Sequence, residues 1–260
     1  MSVEIEGRWS HEDYCSALEA ELGRFAGAVE GADPAAEVPT CPGWTLTKLL
    51  KHVGITQRWA EHLVRHRVRE RLPSRDVPVT LPDDDKGYPG WLAAGGATLV
   101  ATLREAGAGA EVWSWGADQH AHFWSRRMLH ECTVHRADAE IALGREPRVD
   151  ARVAADGVDE LLDNLTAATW VADALKELGE GGEILHFHAT DVDEGGEWTV
   201  TLGPEGFSWE HGHGKGDVAV RGTASDLLLL VYGRLKPADA RFEVFGDRDL
   251  LARWQRKTAL

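Results

Sequence analysis

The chain has 260 residues, of which 43% are hydrophobic and 11 are tryptophan. This is enough for the hydrophobic cores of two domains of about 100–150 residues each. Its 43 acidic and 28 basic residues give a formal charge of −15, which excludes nucleic acid and anionic membranes as main partners. No signal-peptide pattern and no run of about 18 apolar residues occurs, so we expect a cytoplasmic protein. The three cysteines are odd in number and widely spaced, which predicts reduced thiols.

Apolar residues recur every three or four positions through much of the first 150 residues. This period predicts four helices, over about 10–29, 45–69, 89–106 and 118–143. Thr45 has the character of an N-cap for the second helix, and Gly144 follows the end of the fourth. Four helices with mostly short links predict a bundle, whose interior is a usual place for a metal site.

The pattern changes near residue 150. A fifth helix is predicted over 153–178, and glycine-rich turns then separate short runs that are typical of strands. Strands are predicted at 184–190, 197–202, 217–221 and 242–245, with helices at 224–232 and 247–255. Interleaved strands and helices indicate a small α/β or α+β domain. We therefore predict two domains, 1–150 and 151–260.

A candidate metal site lies in the first domain. Glu131 and His135 are one helical turn apart and point the same way, so they can supply two ligands to a divalent ion. His52, on the second predicted helix, can supply a third, and three protein ligands leave a position open for catalysis. The alternative is that Glu131 pairs with Arg127, one turn back, and that both histidines are ordinary partly buried residues. Spacing alone does not separate the two interpretations.

The remaining histidines are weaker candidates. His130 lies five residues before His135, about 140° away on a helix, whereas the zincin motif requires two histidines four residues apart on one face. We therefore expect His130 on a flank of the helix, contacting solvent or another helix. The histidines of 211–214 and the pair His186 and His188 have metal-ligating chemistry as well. The first set is typical of a flexible turn and the second of one strand face, so we favour a single metal site.

Two N-terminal motifs together resemble the mycothiol-dependent maleylpyruvate isomerase family, which belongs to the wider DinB-like metalloenzyme group. They are Val38-Pro39-Thr40-Cys41-Pro42-Gly43-Trp44-Thr45, leading to His52, and the run from His130 to Glu140. The stretch Gly222–Leu227, then Tyr232-Gly233-Arg234 and Val244–Asp247, is similar to that family's C-terminal domain. The resemblance covers nearly the whole chain.

The resemblance implies an α+β protein in which a DinB-like four-helix bundle precedes a smaller α/β domain of sterol-carrier-like type. It implies that His52, Glu131 and His135 bind zinc, although this ligand set also accommodates other divalent metals. In this family the metal activates the thiol of mycothiol, the low-molecular-weight thiol of actinobacteria, because a coordinated thiol is deprotonated at neutral pH. The thiolate adds to a cis olefin conjugated to a carbonyl, and rotation and elimination give the trans product.

The resemblance also implies arginines near the metal, since such substrates are anionic. Arg234 and Arg127 are the candidates, although Arg127 is equally explained as a partner of Glu131 and Arg234 as a tie between domains. Tyr232 stands where the familiar motif has tryptophan, which departs from the family pattern at this position. Asp138, one turn after His135, has the position of a carboxylate that supports an imidazole, or of a surface salt bridge.

The leading interpretation is thus a zinc-dependent enzyme of the maleylpyruvate isomerase type, a monomer or homodimer that acts on a small electrophile with mycothiol. One alternative is a mycothiol S-transferase in specialised metabolism or detoxification. Another, of a different class, is a metal-binding or ligand-binding protein without turnover. We expect Cys41 and Cys132 to be small buried residues rather than nucleophiles.

Overall fold

The computed structural model describes residues 9–167, 175–176, 178 and 181–258. The chain divides into two compact units, Met1–Pro147 and Arg148–Leu260. The described part of the first unit is helical, and the second combines helices with one sheet. This confirms the predicted α+β class. Among the described residues, no helix is long and apolar enough to cross a membrane.

Four helices form the described part of the first unit, and their apolar faces meet in its interior. Both α1 and α2 pack against α3 and α4. The predicted four-helix bundle is therefore confirmed. Its helices are α1 (His11–Val29), α2 (Leu46–Arg65), α3 (Tyr88–Ala106) and α4 (Ala121–Ala142), with short 3-10 turns at Ser74–Asp76 and Asp85–Gly87.

The helix ends follow local chemistry. The Thr45 side chain accepts a hydrogen bond from the Lys48 amide, so Thr45 caps α2 as predicted. The predicted extension of α2 to residue 69 is wrong, because Arg67 adopts a left-handed φ of 48°, which ends the helix. The fourth helix begins later than residue 118, because Glu111 and His120 pair as an isolated bridge just before it.

A buried ion pair joins α1 to α4. The Arg136 side chain contacts Glu21 directly and also donates to Glu140 Oε2 at 2.7 Å. Glu21 and Arg136 are almost wholly inaccessible to solvent, so neither charge is stabilised by water and each depends on the other. The pair fixes α4, the helix that carries most of the candidate metal ligands.

The second unit has a five-stranded sheet with strand order β3-β2-β1-β4-β5. Strands β1 and β4 are parallel, and the other neighbours are antiparallel. The predicted helix over 153–178 is described only to Ala167 as a continuous element, and most of its remainder lies outside the described residues. The elements are α5 (Ala151–Ala167), β1 (Ile184–Ala189), β2 (Glu197–Gly203), β3 (Gly206–His211), β4 (Val218–Gly222), α6 (Ala224–Val231), β5 (Glu243–Gly246) and α7 (Arg248–Thr258).

One face of this sheet carries the core. Phe187 on β1 and Trp198 and Val200 on β2 are buried there, and α5, α6 and α7 pack against the sheet. Strand β3 has no counterpart among the predicted elements, although Phe207 and Trp209 alternate with polar residues. As an edge strand it buries few of its side chains, so its pattern is weak.

Candidate metal centre

The three predicted ligands come together between α2 and α4. His52 Nε2 lies 3.1 Å from Glu131 Oε1, and His135 Nε2 lies 3.4 Å from the same oxygen. The donor atoms of the three side chains all lie within 4.8 Å of one another. Two helices thus place two imidazoles and one carboxylate around a single point.

The two oxygens of Glu131 have separate partners. Oε2 accepts a hydrogen bond from Arg127 at 2.9 Å, while Oε1 faces the two imidazoles. Burial raises the pKa of this carboxyl, but His135, His52 and Arg127 outweigh burial and hold the pKa well below its usual value. The pairing with Arg127 and the histidine cluster therefore occur together, and Glu131 is ionised.

A carboxylate behind His135 orients its ring. His135 Nδ1 lies 2.8 Å from Oδ2 of Asp138, which is fully buried, and the Cys41 thiol donates to the same oxygen at 3.6 Å. With Nδ1 held by this carboxylate, Nε2 points to the cluster. Burial lowers the pKa of His135, but Glu131 and Asp138 outweigh it and raise the pKa to about 9.

The segment before α2 supplies an aromatic wall. Gly43 has a φ of 81°, which favours glycine, and the Val38 amide donates to the Trp44 carbonyl at 3.0 Å. This turn places the Trp44 ring 5.1 Å from the His52 ring and 6.5 Å from the His135 ring, centroid to centroid. Trp44 is absent from the predicted site residues, although it belongs to the motif that leads to His52.

The cluster is open on one side. The His52 side chain is 41% exposed, whereas those of Glu131 and His135 are 16% and 12% exposed. Two imidazole nitrogens and one carboxylate oxygen are a donor set that zinc accepts, and Oε1 of the ionised Glu131 is left for a metal because Arg127 occupies Oε2. The residues present therefore fit a divalent ion with room for one further ligand on the His52 side.

Family models match both units. The mycothiol maleylpyruvate isomerase N-terminal domain matches residues 15–140, and the MDMPI C-terminal domain of the same family matches residues 152–253. The chain belongs to the mycothiol-dependent maleylpyruvate isomerase family. The family resemblance of the sequence motifs is thereby confirmed.

Solved structures show the same fold. A crystal structure of the mycothiol-dependent maleylpyruvate isomerase aligns with a TM-score of 0.56 at 15% identity, over 88% of this chain and 91% of that one. A histidine-to-alanine mutant of the mycothiol-dependent maleylpyruvate isomerase aligns with a TM-score of 0.58 at 16% identity, over 87% and 90% of the two chains. No curated protein sequence matches at a significant level. At such identity the structural likeness concerns the fold alone.

The two arginines considered for this family member have local partners. Arg127 is buried and its guanidinium lies on Glu131. Arg234, just after α6 in the second unit, donates to the Tyr232 carbonyl at 2.6 Å and places its guanidinium carbon 6.0 Å from the Tyr232 ring centre. One arginine thus supports a candidate ligand, and the other supports the end of a helix.

Two neighbours of the ligands on α4 are fully buried. Of the two predicted surroundings of His130, solvent or another helix, the protein interior is the one observed, because α4 packs against all three other helices and leaves few exposed positions. Burial raises the pKa of the Cys132 thiol above its usual range, so this thiol stays protonated. Cys132 is therefore a small interior residue, as predicted, whereas Cys41 is only partly buried, contrary to that prediction. None of the three cysteines, all of which lie in the described part of the chain, forms a disulfide.

Proposed function

We propose that this protein is a zinc-dependent enzyme that uses mycothiol to isomerise or S-conjugate a small electrophilic substrate. The observation that carries the proposal is the convergence of His52, Glu131 and His135 on one point that is open on the His52 side. Membership of the mycothiol-dependent family supplies the thiol. A zinc ion held by the three residues would keep a coordinated thiol in its nucleophilic thiolate form at neutral pH.

The surrounding residues prepare the ligands. Arg127 occupies Oε2 of Glu131, which leaves Oε1 directed at the imidazoles. Asp138 holds Nδ1 of His135, so the ring presents Nε2. Trp44 packs beside both imidazole rings and limits their rotation. Each contact reduces the freedom of a donor atom before any ligand arrives.

An anionic substrate needs a cation in its binding site. We propose Arg234 and Arg127 as the candidates, because a guanidinium binds a carboxylate through two parallel hydrogen bonds. The bond between Arg127 and Glu131 adds a positioning role for Arg127. Arg234→Ala should raise KM for an anionic substrate at least about tenfold, an effect of about 1.4 kcal/mol. Steady-state kinetics measure this, and zinc content should not change.

The domain assignment is part of the same proposal. We assign the metal centre to a bundle domain over 1–150 and a small α/β domain to 151–260, and the compact units meeting after Pro147 support this division. The proposed partners are mycothiol and a small electrophile. The proposed compartment is the cytoplasm, which the thiol form of the three cysteines favours.

The decisive experiment adds mycothiol to the cobalt-substituted protein. Sulfur coordination should produce a new sulfur-to-metal charge-transfer band, and the rate of substrate conversion should depend on mycothiol concentration. His52→Ala, Glu131→Ala and His135→Ala should each lower the metal affinity of this centre steeply and abolish the band, because only three protein donors are present. His120→Ala is the matched control, since that exposed histidine contacts Asp118 and not the cluster.

An unchanged cobalt spectrum, together with a rate that does not depend on mycothiol, would contradict the thiol-enzyme proposal. Zinc that survives at full stoichiometry in the double variant Glu131→Ala/His135→Ala would contradict the ligand assignment. The two results are independent, because metal analysis needs no thiol and the spectral titration needs no substrate.

A further inference from the structure

A second cluster of metal-ligating side chains lies in the C-terminal unit, on the sheet face opposite its helices. His186 on β1 alternates with the core residues Leu185 and Phe187, so its side chain projects to the other face. Glu197 on β2 projects to that face as well, since the next residue, Trp198, is buried in the core. His213 follows β3, in the connection to β4.

This connection, residues 212–217, crosses the sheet. It leaves the edge strand β3, passes β2 and β1, and enters β4 on the far side of β1. Its first residue accepts a hydrogen bond from Thr199 Oγ1 at 3.1 Å, and its last donates to the Ile184 carbonyl at 2.8 Å. A Cβ added at Gly216 would lie 3.2 Å from the His186 amide nitrogen, so the crossing chain lies directly over β1.

The crossing segment brings His213 to the other two side chains. Oε2 of Glu197 lies 2.8 Å from His213 Nδ1 and 3.0 Å from His186 Nε2. The three donor atoms lie within 4.8 Å of one another, as in the bundle. One carboxylate oxygen thus faces two imidazole nitrogens from three separate parts of the chain.

An unsatisfied nitrogen marks the cluster. His186 is only 4% exposed, and its Nε2 has no hydrogen-bond partner among the described residues. The oxygen of Glu197 lies 3.0 Å from this nitrogen, and the two attract each other only while the ring is protonated. A buried ring nitrogen without a partner is costly, and a cation next to it and to the carboxylate removes that cost.

We propose that His186, Glu197 and His213 form a second site for a divalent transition-metal ion, of which zinc is the expected occupant. Two imidazole nitrogens and one carboxylate oxygen suit zinc and its first-row neighbours. The His213 side chain is 81% exposed, so water completes the coordination on that side. The site revises the expectation of a single metal centre, because β3 and the crossing segment bring distant residues together.

The protonation states favour metal binding. Burial lowers the pKa of His186 and Glu197 raises it, but burial together with the nearby imidazoles of His213 and His188 outweighs Glu197, so the ring is neutral at pH 7. Burial raises the pKa of Glu197, but His213 and the other imidazoles outweigh it and leave the pKa below its usual value. A neutral imidazole and an ionised carboxylate are the forms that bind a metal.

A metal at this site would fasten the crossing segment to β1 and β2. It binds the native arrangement only, because the unfolded chain does not hold these three residues together, so it stabilises the C-terminal unit by mass action. The role that follows from this argument is stabilisation of the crossing segment and of the C-terminal unit.

Metal content of the full-length chain tests the proposal. The metal-free protein is dialysed against micromolar zinc, and the zinc bound per chain is measured by inductively coupled plasma mass spectrometry. We expect two ions in the wild type and one in His213→Ala, whose exposed side chain can be removed without disturbing the core. Glu197→Gln should also leave one ion. His188→Ala is the matched control, because His188 lies on the same face of β1 but outside the three-residue cluster, and it should leave two.

The outcomes separate the two centres. One ion in the wild type that is lost in His135→Ala and retained in His213→Ala would overturn the second site. One ion that is lost in His213→Ala and retained in His135→Ala would support the second site and contradict the centre in the bundle. Zinc affinity at the second site should fall at least about 100-fold in His213→Ala, more than the ~10–100-fold of a residue that only supports a ligand. An equal loss in His188→Ala would overturn the assigned ligands.

Discussion

Zinc binding by the bundle should depend steeply on pH, because the metal must displace a proton from His135. In the metal-free protein Glu131 and Asp138 outweigh burial and raise the pKa of this imidazole to about 9. Its Nε2 is therefore protonated at pH 7, and a protonated nitrogen cannot bind a metal. Raising the pH removes this competitor.

The size of the effect follows from the pKa. Below the pKa of the competing group, each pH unit changes the apparent Kd about tenfold. At pH 9 half of the His135 side chains are already protonated, so from pH 9 to pH 7 the apparent zinc affinity should fall by about 50-fold, or about 2.3 kcal/mol. The curve should level off above about pH 9, where His135 is neutral.

The stability of the metal-free protein should change in the opposite direction. The folded-state pKa of His135 lies above the unfolded value of about 6.5. Its contribution to stability is thus complete below about pH 6.5 and disappears as the pH rises through about 9. Between pH 7 and 9 the chelator-treated protein should lose melting temperature, while zinc at a fixed concentration should raise the melting temperature increasingly.

A competition titration against a chromophoric chelator, from pH 6.5 to 9.5, measures the affinity. The His213→Ala background removes the second proposed site from the measurement. Asp138→Asn serves as the comparison, because it takes away one of the two carboxylates that raise the pKa of His135, so its affinity should level off at a lower pH. An affinity that changes less than about threefold between pH 7 and 9, or a profile that Asp138→Asn leaves unchanged, would refute the reasoning.

Two further predictions concern the packing that holds the centre. Glu21→Leu leaves the Arg136 charge buried with one partner fewer, and the free energy of unfolding, measured in urea, should fall by about 3 kcal/mol. This is the low end for breaking a buried ion pair, because the carboxylate of Glu140 remains. Arg136→Met added to Glu21→Leu should recover most of the loss, and a loss below about 1 kcal/mol would show that the pair contributes little. Gly54→Ala should lower the free energy of unfolding by about 1–3 kcal/mol, since the new Cβ would lie 2.1 Å from the Trp91 ring. Gly90→Ala, with open space at that position, should be neutral or stabilising, and equal effects of the two alanines would contradict this account.

The helical half of the fold was predictable because its signals are local. The sequence itself shows four stretches with the helical repeat of apolar residues. It also shows the Thr45 cap and the one-turn spacing of Glu131 and His135. The approach of His52 to this pair depends on packing between helices. The helical pattern made it one of two interpretations, and the family resemblance favoured it. The end of α2 was not predictable, because the residue that adopts a positive φ there is an arginine.

The features that sequence did not predict join residues distant in the chain. The link from Cys41 to Asp138 spans 97 residues, and no short pattern encodes it. The burial of His130 depends on three helices packing around α4, which a single-helix projection cannot show. The second histidine cluster needs the edge strand β3 and the crossing segment to bring His213 next to β1 and β2.

The buried pair of Glu21 and Arg136 also restricts rotation of α4 about its own axis. Arg136 follows His135 directly, so the contact to α1 and the nitrogen that faces Glu131 leave the helix within one residue of each other. Side chains extend about 5–6 Å from a helix axis, so a turn of only 10° would move that nitrogen by about 1 Å. Displacements of this size matter to chemistry at a fixed centre. Glu21 on α1 thus limits how far the metal centre can rotate, although Glu21 does not contact any of the three candidate ligands.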